Sequence, residues 1–347
     1  MRIILFPFSI FYALGIGIRN LLYKTGIYQS IQFDFPIICI GNLSFGGTGK
    51  TPHIEYLINL LNSKYKVAVL SRGYRRKTKG YILSDNSSTV EQIGDEPFQI
   101  KNKFNNVAVA VCENRVLGVP NLLADEPETN VILMDDGFQH RAIKAGLNII
   151  LTDYSRLFYR DWIAPSGMLR EFRIAYKRAQ IIIVTKCPIN ITDEQRANII
   201  KEISPIDGQN IYFSYQLYDE LTALYQTEII PNKETEVLLF AGIANIQSLE
   251  EHLKKNFKSV KSIHFADHKF YSEIVIDEIL QKFNSINSSN KIIITTEKDA
   301  VKLRDSHIES LFKNVPIFYQ PMKINFFEQD HSSFNTIILN YVNQSNN

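Results

Sequence analysis

A glycine-rich segment near the N-terminus constrains the fold of this chain more than any other feature. Residues 41–52 read Gly-Asn-Leu-Ser-Phe-Gly-Gly-Thr-Gly-Lys-Thr-Pro, after the apolar run 36–40 and before the amphipathic run 53–61. This order predicts a strand, a tight loop and a helix. The glycines let backbone N–H groups turn inward, and a lysine adds a positive charge at the helix N-terminus. We therefore predict a loop that binds the phosphates of a nucleotide.

The residues of this loop are the predicted nucleotide contacts. A strict loop of this type has glycine at the position of Ser44, and we expect the pair Gly46-Gly47 to supply the missing freedom. The hydroxyl of Thr51 is also a predicted Mg²⁺ ligand. The predicted nucleotide-binding residues are Ser44, Phe45, Gly46, Gly47, Thr48, Gly49, Lys50 and Thr51.

Composition places the chain among folded proteins of about two domains. Its 347 residues are 45% hydrophobic and 21% charged, and the net charge is +2. This charge is too small to indicate a nucleic-acid-binding protein, so no nucleic-acid partner is expected. Cys39, Cys112 and Cys187 lack C-x-x-C spacing. We expect them to be reduced residues of the core.

The N-terminal segment 1–30 is unusually apolar. After Arg2, residues 3–18 carry no charge, and Arg19 and Lys24 follow. This run is interrupted by Pro7 and is short for a membrane span, while the lack of a small-x-small cleavage site argues against a secretory signal peptide. We expect a membrane-associated helix that lies at the lipid interface. A spanning segment and a buried core helix are the alternatives.

The alternation of short β-rich and helical runs predicts an α/β protein. In the predicted domain 31–211, strands separated by helices indicate a doubly wound, mainly parallel sheet of the P-loop NTPase type. Residues 212–234 are rich in β formers and predict a β linker, and 235–347 predict a smaller C-terminal α/β domain. The main predicted strands after the glycine-rich loop are 66–70, 107–112, 131–134, 147–151 and 181–184.

Two pairs of acidic residues stand in positions suited to phosphoryl transfer. Asp135 and Asp136 end an apolar strand, where P-loop proteins place an acid near Mg²⁺. The two aspartates therefore join Thr51 as predicted metal ligands. Asp95 and Glu96 stand between Gly94 and Pro97. Asp95 is either the N-cap of a helix or the base that takes a proton from an alcohol acceptor.

Basic residues near the predicted strand ends suggest an anionic acceptor. Five cations lie in residues 72–79, and Arg115 and Arg170 stand in further loops. The run 72–79 is either a solvated loop or a binding site for phosphates or anionic lipid head groups. Arg115 and Arg170 are either surface charges or ligands of a phosphorylated acceptor. Strand 181–184 lacks a following guanine-selecting aspartate, which favours ATP over GTP. His268 lies beyond a strand of the second domain and is either structural or catalytic.

Seven short sequence motifs, taken together, resemble those of one family. They are residues 41–52, 71–74 (Ser-Arg-Gly-Tyr), 94–97 (Gly-Asp-Glu-Pro), 135–140 (Asp-Asp-Gly-Phe-Gln-His), 169–171 (Leu-Arg-Glu), 267–268 (Asp-His) and 295–300 (Thr-Thr-Glu-Lys-Asp-Ala). In this order, and up to about residue 303, the chain resembles tetraacyldisaccharide 4'-kinase, the lipid A kinase of Gram-negative bacteria.

The resemblance implies an enzyme that transfers the ATP γ-phosphate to the 4'-hydroxyl of tetraacyldisaccharide 1-phosphate, forming lipid IVA in lipid A biosynthesis. It implies Asp95 as the base in a dyad with His268, and Lys50 and Asp135 as further catalytic residues. It also implies ATP and Mg²⁺ as cofactors and attachment to the cytoplasmic face of the bacterial inner membrane. The predicted substrate-binding residues are Arg72, Glu96, Arg115, Gln139, His140, Arg170 and Glu171.

Some residues depart from the family pattern. Residues 165–171 read Pro-Ser-Gly-Met-Leu-Arg-Glu where the family has Pro-Ala-Gly-Pro-Leu-Arg-Glu, and residues 159–162 replace its usual Gly-Asn. These changes affect a loop on the acceptor side and leave the kinase interpretation intact. The alternative function is a membrane-recruited P-loop ATPase or nucleotide switch that phosphorylates no lipid. A monomer is expected.

Overall fold

The computed structural model describes residues 2–243, 245–267, 269–304 and 306–346. The chain divides into two units: residues up to 217 with those from 323 onward form unit 1, and residues 218–322 form unit 2.

The strands are β1 (Ile37–Asn42), β2 (Val67–Ser71), β3 (Ile82–Leu83), β4 (Ala108–Val111), β5 (Val131–Asp135), β6 (Leu147–Asp153), β7 (Ile181–Thr185), β8 (Asn210–Tyr218), β9 (Thr222–Ala223), β10 (Glu236–Ala241), β11 (Ser259–His264), β12 (Lys291–Thr296), β13 (Ile317–Gln320) and β14 (Met322–Phe326). The α-helices are α1 (Arg2–Lys24), α2 (Lys50–Leu61), α3 (Val90–Ile93), α4 (Asp95–Lys103), α5 (Arg115–Asp125), α6 (Asp193–Ile203), α7 (Gln247–Asn256), α8 (Glu273–Asn284), α9 (Glu297–Ala300), α10 (Ser306–Leu311) and α11 (Glu328–Asn346).

Unit 1 is built on a doubly wound sheet. Among the described residues it has nine strands in the order β14-β8-β7-β6-β1-β5-β2-β4-β3. The pairs from β8 to β4 are parallel, and the short β3 pairs antiparallel with β4. Strand β1 lies between β5 and β6, so its loop to α2 emerges at the carboxyl edge where such sheets bind ligands. The predicted fold class is confirmed.

Continuous burial of the central strands explains why their sequences are apolar without alternation. Every residue of β1, β2, β5 and β7 is buried, as expected for parallel strands covered by helices on both faces. Side chains from opposite faces of the sheet enter two separate hydrophobic clusters. The three cysteines are buried and free of disulfides.

Unit 2 has its own parallel sheet. Within the described residues five strands follow the order β11-β10-β12-β13-β9, and only the two-residue β9 pairs antiparallel. Two clusters of buried apolar side chains pack against this sheet. This arrangement matches the predicted smaller α/β domain.

The observed units differ from the predicted boundaries at two places. The predicted linker 212–234 is divided, because β8 pairs with β7 in the sheet of unit 1 while β9 belongs to the sheet of unit 2. Residues 323–347, predicted in the C-terminal domain, belong to unit 1. Phe326, Phe334 and Ile338 enter the same apolar cluster as helix α2. Local periodicity gives no information about such long-range packing.

Helix α1 is anchored to unit 1 through its polar side chains and exposes its apolar ones. The Ser9 hydroxyl donates to the Ser166 hydroxyl at 2.8 Å, and Arg19 pairs with Glu171 at 3.4 Å. Residues 4–24 are long and apolar enough to cross a membrane. Exposed apolar side chains on the helix are Ile4, Phe6, Phe8, Ile10, Phe11, Leu14, Ile18 and Leu21.

A buried ion pair joins α11 to the rest of unit 1, which allows a test of the revised boundary. Asp330 accepts two bonds from Arg196 on α6, both at 2.7 Å, and one from the Phe213 N–H at 2.9 Å. We expect Asp330→Ala to lower the free energy of unfolding by about 3 kcal/mol, because it leaves a buried guanidinium unpaired. Urea denaturation measures this change.

The matched control is Glu202→Ala, which removes an equally short but exposed pair with Arg160. We expect a loss of less than about 1 kcal/mol for this variant. Equal effects of the two substitutions would contradict the docking of α11 described above.

Candidate active site

The glycine-rich segment forms a loop between β1 and α2, as predicted. Gly49 is the N-cap of α2 and has φ of 87°, a left-handed conformation that disfavours residues with a Cβ. Lys50 and Thr51 therefore begin the helix, with their backbone N–H groups at its positive end.

Protein side chains hold the carbonyl groups of this loop. The Thr185 hydroxyl donates to the Thr48 carbonyl at 2.9 Å, and His53 Nδ1 donates to the Gly49 carbonyl at 2.7 Å. Lys186 Nζ donates to the Gly47 carbonyl at 2.5 Å. In a trans peptide the C=O and the next N–H point in opposite directions. Anchoring Thr48 and Gly49 therefore directs the next two N–H groups to the opposite side, into the loop.

Asp135 lies beside the loop because of the register of the sheet. It is opposite Ile40 in the pairing of β5 with β1. Its Oδ2 accepts a bond from the Ser71 hydroxyl at 3.1 Å, while its buried Oδ1 has no protein partner among the described residues. Burial and the charge of Asp136 raise the pKa of Asp135 to about 6. A cation placed here would favour the ionised form.

Asp136 has a different environment although it is the next residue. Both of its oxygens accept bonds from Arg170 Nη1, at 3.1 and 3.0 Å, and Lys50 Nζ lies 3.6 Å from Oδ1. Burial favours the neutral form, but the charges of Lys50 and Arg170 hold the pKa of Asp136 below its ordinary value. The two neighbouring acids are thus differentiated by their partners.

Asp95 is the first residue of α4, a helix attached directly to the P-loop helix. Glu55 on α2 accepts bonds from Gln99 and Lys103 of α4, both at 2.8 Å. Gly94 precedes Asp95 and approaches the Tyr74 carbonyl so closely that a Cβ would lie 2.9 Å from it. The local charge of Glu96 helps to raise the pKa of Asp135, so the start of α4 lies in the same electrostatic environment.

The predicted acceptor residues of unit 1 fall around the same carboxylates. Arg115 is buried and donates to the Asp135 carbonyl at 3.3 Å. Gln139 donates to the Asn42 carbonyl at 2.7 Å. Burial lowers the pKa of His140, and the positive charges of Arg115 and Arg72 lower it further. The loops after β1, β2, β4 and β5 therefore bring these side chains together.

Glu171 has a different setting from the other predicted substrate residues. It is fully buried, and its two oxygens accept bonds from Arg178 at 2.6 Å and Arg19 at 3.4 Å. Arg178 in turn stacks on the Phe138 ring. Glu171 therefore joins α1 to the sheet, while its neighbour Arg170 reaches Asp136 and packs over the Phe45 ring.

The Asp-His motif belongs to unit 2, and His268 lies outside the described residues. Lys298 of α9 and Lys302, which lies just after α9, contact the residues on either side of it. Lys298 pairs with Asp267 at 3.2 Å, and Lys302 donates to the Lys269 carbonyl at 3.3 Å. Buried Asp299 accepts a bond from the Gly242 N–H at 2.9 Å. The segment that follows β12 thus contacts the residues on both sides of position 268.

The residues of unit 1 fit a Mg²⁺ ion that is shared with a nucleotide. No group of three or more His, Cys, Asp or Glu side chains forms a metal cluster within the described ranges. Mg²⁺ in nucleotide sites commonly uses one or two protein oxygens together with phosphates and water. The unpartnered Oδ1 of Asp135 and the Thr51 hydroxyl are donors of this kind.

Comparisons with known proteins identify the family. The family model described as tetraacyldisaccharide-1-P 4'-kinase (LpxK) matches residues 1–343. The chain belongs to this family. It is 43% identical to the tetraacyldisaccharide 4'-kinase of Flavobacterium johnsoniae over 99% of this chain and 98% of that protein. For the Bacteroides fragilis enzyme the identity is 42%, over 98% and 93% of the two chains.

A solved relative shows that the fold is shared as well. The crystal structure of LpxK from Aquifex aeolicus in complex with ATP matches with a TM-score of 0.74 and 28% identity, over 98% of this chain and 99% of that one. The predicted family, the predicted fold and, with the family, the predicted kinase class are confirmed.

Several residues that shape the site were not predicted. Ser71 bonds to Asp135, Glu55 joins α2 to α4, and His53 anchors the Gly49 carbonyl. One sequence signal was available for the last two: both are polar residues at positions of α2 that are otherwise apolar and buried. The partners of these side chains are distant in sequence, so the signal identifies the residues without their roles.

His140 provides a test of the electrostatics of the site. Burial and the charges of Arg115 and Arg72 lower its pKa from 6.5 to about 4. Such an imidazole binds fewer protons in the folded state, so its contribution to stability is lost as the pH falls from about 6.5 towards 4. We expect NMR titration to find neutral His140 at pH 6 and a higher pKa in Arg72→Gln. Lys79→Gln in the same basic loop is the control, and an equal rise in both variants would contradict the proximity of Arg72.

Proposed function

We propose that this protein transfers the γ-phosphate of ATP to the 4'-hydroxyl of a tetraacyldisaccharide 1-phosphate, using the carboxyl-edge site of unit 1. The observation that carries the proposal is the meeting of the loop lysine, Lys50, with two differently tuned carboxylates, Asp135 and Asp136, in a chain of this family. A nucleotide switch would need the loop and a metal ligand. It would not need a helix that carries a further acid beside them.

In this proposal the loop binds the ATP phosphates. The N–H groups of Gly49 and Lys50 point into the loop because the preceding carbonyls are held from outside. Lys50 exchanges its 3.6 Å contact with Asp136 for the phosphate oxygens, and Arg170 keeps Asp136 charged. Thr51 and Asp135 would hold Mg²⁺, which neutralises charge on the phosphates when it is bound.

The acceptor hydroxyl is activated by Asp95 in this mechanism. The carboxylate takes the hydroxyl proton as the oxygen attacks the γ-phosphorus, and ADP leaves with the electron pair of the broken bond. Glu55 bonds to two side chains of α4, which ties the helix that carries this base to the helix that follows the loop. Arg115, Arg72, Gln139 and His140 supply donors for an anionic sugar. The role of His268 as the partner of Asp95 stays a prediction.

Phosphate transfer from [γ-³²P]ATP to tetraacyldisaccharide 1-phosphate in detergent micelles tests these roles. We expect Asp95→Asn to lower kcat about 10²- to 10⁴-fold while ATP binding stays within about threefold of the native protein. Lys50→Ala should lose transfer and weaken ATP binding as well, because it removes the charge that contacts the phosphates.

Asp193→Asn is a matched control for Asp95→Asn. Asp193 is likewise the first residue of a helix, α6, but it is exposed and far from the loop in sequence. Native kcat in the control and a large loss in Asp95→Asn would separate a base from a helix-capping acid. Native transfer in Asp95→Asn would refute its role, and ATP hydrolysis without lipid phosphorylation would favour the nucleotide switch.

We propose that α1 attaches unit 1 to the cytoplasmic face of the inner membrane, lying in the lipid interface. The exposed aromatic and aliphatic side chains of α1 support this, and ATP is available on that side. Arg19 and Lys24 follow the apolar part, as expected at anionic head groups. A cleft of about 560 Å³ between α1 and the region 161–174 opens beside it, and its lining includes Phe6, Ile10, Trp162 and Ile174.

Flotation with vesicles of phosphatidylethanolamine and phosphatidylglycerol tests this attachment. We expect the double variant Phe8→Glu, Phe11→Glu to bind vesicles about tenfold more weakly or worse, because two side chains of 62% and 73% exposure would no longer enter lipid. Ile189→Glu, which alters a 70% exposed apolar residue outside α1, is the control. Binding equal to that of the control would place the membrane contact elsewhere.

A further inference from the structure

His53 is a buried polar residue of α2 that the proposed chemistry does not use. It lies one turn into the helix that begins at Lys50 and is only 3% exposed. Both ring nitrogens have partners: Nδ1 lies 2.7 Å from the Gly49 carbonyl oxygen, and Nε2 lies 3.0 Å from the Ser214 hydroxyl. The edge of its ring packs against Phe326. A buried histidine with a hydrogen-bond partner at each ring nitrogen is held in one tautomer.

The partners determine which nitrogen carries the proton. A carbonyl oxygen only accepts, so Nδ1 carries hydrogen and donates to Gly49. Nε2 is then the acceptor and receives the hydroxyl hydrogen of Ser214. The ring is buried and both of its partners are uncharged, which favours the neutral form. The imidazole is therefore held as the Nδ1–H form.

This arrangement acts on one peptide of the phosphate loop. The Gly49 carbonyl accepts from the His53 ring and also from the His53 backbone N–H at 3.3 Å. Because the Gly49–Lys50 peptide is planar, holding the carbonyl outward directs the Lys50 N–H inward. Gly49 itself has a left-handed φ of 87° and no side chain to resist rotation. The ring thus adds a second restraint to a peptide whose glycine is conformationally free.

Ser214 connects this restraint with the neighbouring one. Its hydroxyl contacts His53, and its backbone carbonyl accepts from the Cys187 N–H at 3.0 Å. Cys187 follows the segment in which Thr185 holds the Thr48 carbonyl. Ser214 is fully buried in β8, and the adjacent Phe213 N–H is bound by Asp330. One strand therefore supports the holders of two successive loop carbonyls.

We propose that His53 is a positioning residue for nucleotide binding, which orients the Gly49–Lys50 peptide towards the phosphates and is itself held in one tautomer by Ser214. The inference rests on the proposed binding of ATP in this loop. It is independent of the identity of the phosphate acceptor. His53 does not touch the reacting atoms in this arrangement, and its effect passes through a single backbone amide.

Calorimetric binding of a non-hydrolysable ATP analogue tests the proposal without any lipid, so a failure of lipid phosphorylation leaves the result interpretable. We expect His53→Phe, which keeps the ring and its packing, to weaken binding of the analogue about tenfold through loss of one hydrogen bond. We expect His53→Asn, whose side-chain amide places a donor near the position of Nδ1, to recover most of this loss. Ser214→Ala should give a smaller loss than His53→Phe.

Three further measurements distinguish positioning from stability. Thermal unfolding identifies any variant that binds weakly because it is unfolded, and ¹⁵N NMR of the native imidazole reports the tautomer directly. In variants that fold and transfer phosphate, KM for ATP should rise while KM for the lipid stays unchanged. The proposal would be overturned by native affinity in folded His53→Phe or by no recovery of binding in His53→Asn. It would also be overturned by an equal rise of KM for ATP and for the lipid, or by a proton on Nε2 with none on Nδ1.

Discussion

The parallel pairing of β1 with β5 is the constraint on which the site depends. Their register places Asp135 opposite Ile40, only a few residues before the glycine-rich loop. Strand β2 pairs on the other side of β5, which brings Ser71 within a hydrogen bond of the same carboxylate. Three loops that are remote in sequence thus meet at one edge because three buried strands are aligned. The buried apolar side chains of these strands keep that alignment.

Around this edge, polar side chains divide into those that face the ligand and those that hold the backbone. Asp135 retains an unpartnered oxygen, whereas Asp136 is occupied by Arg170 and approached by Lys50. Thr185, Lys186 and His53 form hydrogen bonds with carbonyl groups of the loop. Preorganised amides of this kind stabilise phosphate charge without rearrangement when a nucleotide binds. His53 is one of these backbone-holding residues, and it is buried with a hydrogen-bond partner at each ring nitrogen.

Much of the fold was predictable from the order of short apolar runs and glycine-rich turns. The strands at 66–70, 131–134 and 181–184 appear as β2, β5 and β7, each extended by one residue or shifted by one. The prediction was wrong for residues 323–347, which return to unit 1, and the predicted linker is shared between two sheets. In both cases the decisive contacts are long-range. A local helical or extended pattern does not indicate which sheet the element will join or pack against.

Local sequence was sufficient to predict the strand, loop and helix around residues 41–52, because glycine conformation and helix initiation act within a few residues. It also located the acids at 95, 135 and 136 and the apolar helix at the N-terminus. The tertiary structure decided how neighbouring identical residues differ. Burial raises the pKa of Asp135, while the charges of Lys50 and Arg170 lower that of Asp136. Buried Glu171 pairs with Arg19 and Arg178. These properties depend on partners brought together by folding, and the strength of each interaction depends on how much water the fold excludes.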